Sequence, residues 1–258
     1  MRRTRRFGGR TVRLVSAALV ATLLLGACAS NRTSMQSPDF SGLSATETQR
    51  TVAELAARYQ ANSRDKATII TYAAALRAAG QTAQAVAVLE QAQAVHGRDV
   101  DINIAFAKAL AAHGAFDRAL SVIEQTIRPD APDWNALSVK GAILDQTGRH
   151  DEARQIYQQA LLIAPHEASV HANLGLSYAM TGELGTAETH LRKAVGMRNA
   201  TSQIRQNLAL VLGLQGQFDA ARAIYAAELP PDQVEANMAY IRALLTQQNR
   251  WDLIESDS

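Results

Sequence analysis

Cysteine occurs once in the 258 residues, tryptophan twice and proline six times, and aromatic side chains make up only 5% of the chain. A lone cysteine closes no disulfide within the chain, so its stability has to come from packing. The prolines fall outside the long periodic stretches, and alanine dominates a composition that is 47% hydrophobic. Such a composition describes helices packed closely on small side chains, and nothing in it resembles the core of a sheet-rich enzyme. The strings that announce catalysis are missing too. There is no glycine-rich phosphate loop, no Gly-x-Ser-x-Gly elbow and no His-Glu-x-x-His. The expectation is a protein that catalyses nothing.

Excess positive charge is lacking where it would count. The formal net charge is +2, but Arg2, Arg3, Arg5, Arg6, Arg10 and Arg13 crowd into the first 13 residues. Without residues 1–27, 20 basic side chains face 24 acidic ones. A net charge of about −4 excludes nucleic acid as a natural partner, because affinity for it rests mainly on neutralising phosphates.

The arginines are followed by an apolar run from Leu14 to Leu25, about twelve residues, where a bilayer span takes roughly 20. The run ends in Leu25-Gly26-Ala27-Cys28. This resembles the lipobox of bacterial lipoproteins, which implies a signal peptide over 1–27 and a covalent lipid on Cys28, with no other cofactor. Ala29 stands where an aspartate would resemble an inner-membrane retention signal, so the expected location is the outer membrane, facing the periplasm. Residues 28–46 are rich in Ser, Thr, Asn and Gly and read as a flexible tether.

The strongest pattern is an internal repeat of 34 residues. Units over 66–99, 100–133, 134–167, 168–201 and 202–235 align without a gap. Their eighth residues are Ala73, Ala107, Gly141, Gly175 and Ala209, and their fifteenth are Gly80, Gly114, Gly148, Gly182 and Gly216. Their twentieth are Ala85, Ala119, Ala153, Ala187 and Ala221. Small eighth and twentieth residues let two antiparallel helices touch, and the glycine sits where the first helix stops and a left-handed residue is wanted. Larger apolar residues recur in the seam, as at Leu76, Leu110, Leu144, Tyr178 and Leu212.

This pattern resembles the tetratricopeptide repeat. The implied fold is an all-α, right-handed superhelical solenoid of antiparallel helix pairs over 47–248, with helices at 47–62 and 234–248 capping the ends and a tail over 249–258. Glu228 departs from the small residue found late in other units, which predicts looser packing of the last one. A closer resemblance lies in PDWNALSVKGAILDQTGRHDEAR (132–154), NLGLSYAMTGEL (173–184) and IRQNLALVLGLQGQFDAAR (204–222). These stretches look like the TadD-type lipoproteins of the tight-adherence (Flp) pilus system. That resemblance implies an adaptor in assembly of a pilus secretion machine, with its outer-membrane secretin as partner. The alternative is a repeat lipoprotein serving cell-wall or outer-membrane protein assembly.

In such a stack the first helix of each unit lines a concave groove. The inward set expected from the phasing is Ile70, Arg77, Ile104, Lys108, Asn135, Asp145, Asn173, Leu176, Met180, Asn207, Leu210 and Leu214, mixed at its N-terminal half and apolar at its C-terminal half. It suits an amphipathic helix or extended apolar segment of a protein partner. Leu176, Met180, Leu210 and Leu214 are equally readable as packing between units. Ala172 and Gln206 stand where a carboxylate-clamping groove wants basic residues, which argues against an acidic tail as ligand. His166 and His171 are five apart rather than four, so no metal site is expected. Asp145, Asp151 and Glu152 read as caps of a second helix.

Overall fold

The computed structural model describes Pro38, Phe40 and residues 43–256, with backbone alone from residue 247 onward. The expected signal peptide, Cys28 and nearly all of the tether lie outside the described residues. Among the described residues there are twelve helices and no strand. Helix α1 (Ala45–Ala61) precedes five pairs: α2 (Lys66–Ala78) with α3 (Thr82–His96), α4 (Val100–Ala112) with α5 (Phe116–Thr126), α6 (Trp134–Gln146) with α7 (His150–Ile163), α8 (Ala168–Met180) with α9 (Leu184–Val195), and α10 (Ser202–Leu214) with α11 (Phe218–Glu228). Helix α12 (Pro231–Ser256) closes the series.

Each first helix starts from a side chain placed every 34 residues. Asp65, Asp99, Asp133, Glu167 and Thr201 accept hydrogen bonds from the free amides of α2, α4, α6, α8 and α10. A cap of this kind stabilises a helix by about 1 kcal/mol. Each first helix also stops in the same way. Gly80, Gly114, Gly148, Gly182 and Gly216 have φ between 72° and 82°. The following amide reaches back to the carbonyl of the large seam residue, as in Gln81 to Leu76 at 2.8 Å and Arg149 to Leu144 at 2.9 Å. This is the Schellman closure that a left-handed residue makes possible. The second helices begin directly from these turns without any side-chain cap. The acidic residues near the turn therefore do not cap α7. Asp145 is turned inward, while Asp151 and Glu152 lie in the first turn of α7 beside its positive end.

Three clusters of buried side chains run along the stack, one over α1 to α6, one over α6 to α8 and one from α8 to α12. The alanines at the twentieth position are fully buried against the neighbouring first helices. The capping helices bury only one face: Val52 and Leu55 on α1, and Val234, Met238 and Ile241 on α12. Ser44 and Glu47 form a reciprocal capping box that starts α1. Helix α12 is longer than the 234–248 segment expected from the sequence. It begins at Pro231, whose missing N–H suits the first helical turn, and no glycine or proline follows to stop it, so the backbone of the expected tail is helical through Ser256.

The odd residue of the last unit is accommodated. Glu228 is paired through both carboxylate oxygens with Arg205 on the adjoining helix, and Arg205 also donates to the Ala200 carbonyl at 3.3 Å. A charged pair replaces the small side chain expected there.

Candidate protein-binding groove

Helices α2, α4, α6, α8 and α10 stand side by side and form one wall of the stack. A cavity of about 280 Å³ opens on this wall between α4 and α10. Its lining is mixed: Lys108, Asn135, Ser169, Asn173, Gln203 and Asn207 face it beside Trp134, Ala172 and Ile204. Four of the expected groove residues, Lys108, Asn135, Asn173 and Asn207, thus come together here, while Ser169 and Gln203 were missed. They occupy the same repeat position as Asn135, so a strict reading of the 34-residue phase could have found them.

The carboxamides are partly engaged with their own wall. Asn173 donates to the Ser138 hydroxyl at 3.1 Å, and Gln203 donates to Asn207 at 3.0 Å. Lys108 Nζ donates to Asn135 Oδ1 at 3.4 Å. Asn135 is itself buried, with its Nδ2 unpartnered. Burial, with the positive charge of Arg77 adding to it, pushes the Lys108 ammonium down to about 8, against a weaker pull from Asp133. Burial also lowers the Arg77 guanidinium. Neither cation has an ion-pair partner among the described residues. At the groove edge, by contrast, Lys66 is held by Asp99 at 3.1 Å and Asp101 at 2.9 Å.

The remaining expected residues divide. Leu176, Leu210 and Leu214 are half-buried, and Met180 is 58% exposed, so an apolar strip does reach the surface of α8 and α10. Ile70 and Ile104 do not belong to the groove. They are only 2% and 3% exposed because they lie in the N-terminal core, between their own helices and the neighbouring unit.

Asp145 is the clearest correction. It is buried and accepts from Tyr157 at 2.9 Å and from Ser177 at 2.8 Å, with His150 Nδ1 at 2.9 Å. These partners come from α7 and α8, so one carboxylate ties α6 to the second helix of its own unit and to the first helix of the next. Burial beside Asp145 drives the Tyr157 phenol strongly upward, so it stays protonated and donating. The set superficially suggests a nucleophile with its base. The geometry refuses that reading, since Ser177 is fully buried and its hydroxyl is donated to the carboxylate itself. Nothing in the sequence pattern signalled this knot, because the equivalent positions hold Arg77, Ala111, Ala179 and Gly213.

The histidines are structural in the same sense. His171 is buried with Nε2 3.2 Å from the Pro165 carbonyl, and its ring stacks on His190, which stacks on Tyr178 beneath Arg154. His166 is exposed and apart from them. Among the described residues no group of three or more His, Cys, Asp or Glu side chains could hold a metal ion, and no helix is long and apolar enough to cross a membrane.

Profiles described as tetratricopeptide repeat match residues 76–143, 135–200 and 205–227. The chain belongs to the tetratricopeptide-repeat family. Among solved structures, a thermophilic tetratricopeptide-repeat protein from Thermus thermophilus matches with a TM-score of 0.58 at 20% identity, over 78% of this chain and all of that one. A repeat protein from Parabacteroides merdae matches at 0.53 and 15% identity, over 80% and 81%. These likenesses carry the fold. Among curated proteins, human tetratricopeptide repeat protein 7A is 32% identical over 34% of this chain, and the y4yS protein of Sinorhizobium fredii is 48% identical over 19%. The chain matches only 10% and 26% of their respective lengths. The tetratricopeptide repeat is a protein-binding scaffold.

Proposed function

We propose that this tetratricopeptide-repeat chain is a lipid-anchored scaffold of the bacterial outer membrane, facing the periplasm, that holds a protein partner during assembly of a tight-adherence pilus machine. Its partner in this reading is the outer-membrane secretin. Cys28 carries the acyl chains, which are the only added group the reading requires. One observation carries it. The three stretches that resemble TadD-type lipoproteins, 132–154, 173–184 and 204–222, fall on α6 to α8 and on α10 and α11, which include three of the first helices bordering the cavity. The resemblance therefore includes the working face as well as the seam that every such repeat shares.

The test is affinity capture from solubilised envelopes with the intact chain and with Cys28→Ser as control. Recovery of the secretin by the intact chain and its loss with Cys28→Ser supports an anchored pilus scaffold. Recovery of cell-wall or other envelope proteins in place of the secretin leaves the scaffold standing and assigns it to a different assembly.

A further inference from the structure

The cavity between α4 and α10 gathers side chains that the repeat does not ask for. Trp134 stands at the first position of its unit, where the other units carry Lys66, Val100, Ala168 and Ser202, and it is half-buried. Asn173 and Asn207 share the sixth position, where the first three units hold Thr71, Ala105 and Val139. Asn199 lies in the turn before α10, at the position that Pro165 takes one unit earlier. The other units pack without these groups, yet all four line the same space. Asn135 joins them at 5% exposure, and its Nδ2 has no partner among the described residues. Burying an unpaired amide costs stability, so packing alone does not account for it.

The lining has one chemical character. A carboxamide carries an acceptor and two donors in a single plane, which suits it to grip two neighbouring hydroxyls of a ring. Part of that capacity is left over. Gln203 donates to Asn207 Oδ1 at 3.0 Å, which leaves the Gln203 carbonyl and the Asn207 amide for a ligand, and Asn173 engages Ser138 through Nδ2 at 3.1 Å, which leaves its carbonyl. The negative face of an indole attracts the weakly positive C–H groups of a saturated ring. Ala172 and Ile204 add a small apolar corner. Lys108 and Glu167, the two charged side chains of the lining, are opposite in sign, so the cavity selects neither an anion nor a cation. Its volume of about 280 Å³ lies just below the roughly 300 Å³ at which sites for drug-sized ligands begin, which admits one ring.

We infer that this cavity is a subsite for one ring of a neutral saccharide that carries an acetamido group. The C–H face of the ring lies on Trp134, the carboxamides hold its hydroxyls and the acetamido amide, and the acetamido methyl meets Ala172 and Ile204. The inference goes beyond the scaffold reading and is independent of the pilus assignment.

Trp251→Phe leaves Trp134 as the sole tryptophan, so its emission reports on the cavity. The test titrates the full-length chain bearing this change with a β-1,4-linked N-acetylglucosamine tetramer, with cellotetraose and with a neutral alanine–serine peptide. A saturable change in emission is expected with the acetamido tetramer, a response at least about tenfold weaker with cellotetraose, and none with the peptide. The affinity is expected to be the same at low and high salt, because the ligand is uncharged. The further changes Asn173→Ala and Asn207→Ala together are expected to weaken the tetramer about ten- to a hundred-fold, the range for losing two neutral hydrogen bonds, while cooperative melting is retained. If that double variant fails to fold, Asn199→Ala, in a turn outside the helices, is expected to weaken the tetramer in its place. No saturable response to the tetramer, equal affinity for cellotetraose, tighter binding of the peptide, or indifference to these asparagines in a folded chain would overturn the inference. Recovery of the secretin in the capture experiment bears on none of these outcomes, so the two readings fail separately.

Discussion

Gly141→Ala sets two physical effects of opposite sign against each other. Gly141 lies in the interior of α6, where alanine is intrinsically the better helix former by about 1 kcal/mol. A Cβ added there, however, falls 2.6 Å from Cε1 and 2.8 Å from Cζ of Tyr157. That ring is 1% exposed, and its hydroxyl is pinned to Asp145 at 2.9 Å, so it cannot swing away without breaking a buried hydrogen bond to a carboxylate. Overpacking of this kind costs about 1–3 kcal/mol, and the strained hydrogen bond adds about 1.5 kcal/mol or more. The expected net destabilisation is about 2 kcal/mol, which for a domain of this size lowers the melting midpoint by about 4–8 °C. Circular dichroism during thermal and urea unfolding measures it directly. Tyr157→Leu in the Gly141→Ala background should recover part of the loss, because alanine and leucine already share these two positions in the first unit, as Ala73 and Leu89. A Gly141→Ala protein as stable as the parent would refute the steric reading and leave helix propensity as the larger effect.

Three other outcomes follow from the same structure. Gly148→Ala places its Cβ in open space, so the loss is purely that of forcing φ of 77° on an alanine, about 1–2 kcal/mol, checked by urea denaturation. Asp145→Ala strands the Tyr157 and Ser177 hydroxyls in a dry interior and should destabilise by about 3 kcal/mol, and an unchanged urea midpoint would show that the knot contributes nothing. Burial holds the His171 and His190 imidazoles below their ordinary value, so the folded state resists protons that the unfolded state accepts. Their contribution is present in full above about pH 6.5 and is lost as the pH falls below it, so the melting midpoint should drop between pH 7.5 and 5.5 and the drop should shrink in a His171→Gln, His190→Gln variant.

Much of the fold was legible because the repeat enforces it. The glycines at the fifteenth position, the alanines at the twentieth and the seam residues Leu76 to Leu212 recur for a backbone reason that acts identically in every unit. The groove was legible only in part. Lys108, Asn173, Asn207 and the Leu176 to Leu214 strip face outward as their phase requires. Ile70 and Ile104, at the fifth position of their units, are instead taken into the N-terminal core, where a branched apolar side chain gains more by packing than by staying wet. Asp145 was misplaced for the opposite reason. Its partners Tyr157 and Ser177 sit at positions that differ between units, and a polar contact made once leaves no period to detect.

A superhelix of stacked pairs behaves as a spring, and springs distribute strain evenly unless one coil is stiffer than the rest. The cluster of buried apolar side chains over α6 to α8 is the smallest of the three, and it is there that Asp145 fastens three helices with directional bonds. Apolar surfaces can slide past one another by fractions of an ångström at little expense, whereas a carboxylate gripping three partners tolerates almost no shear. The middle coil is therefore a clamp, and any widening or tightening of the groove around a guest has to be taken up by the outer turns on either side of it.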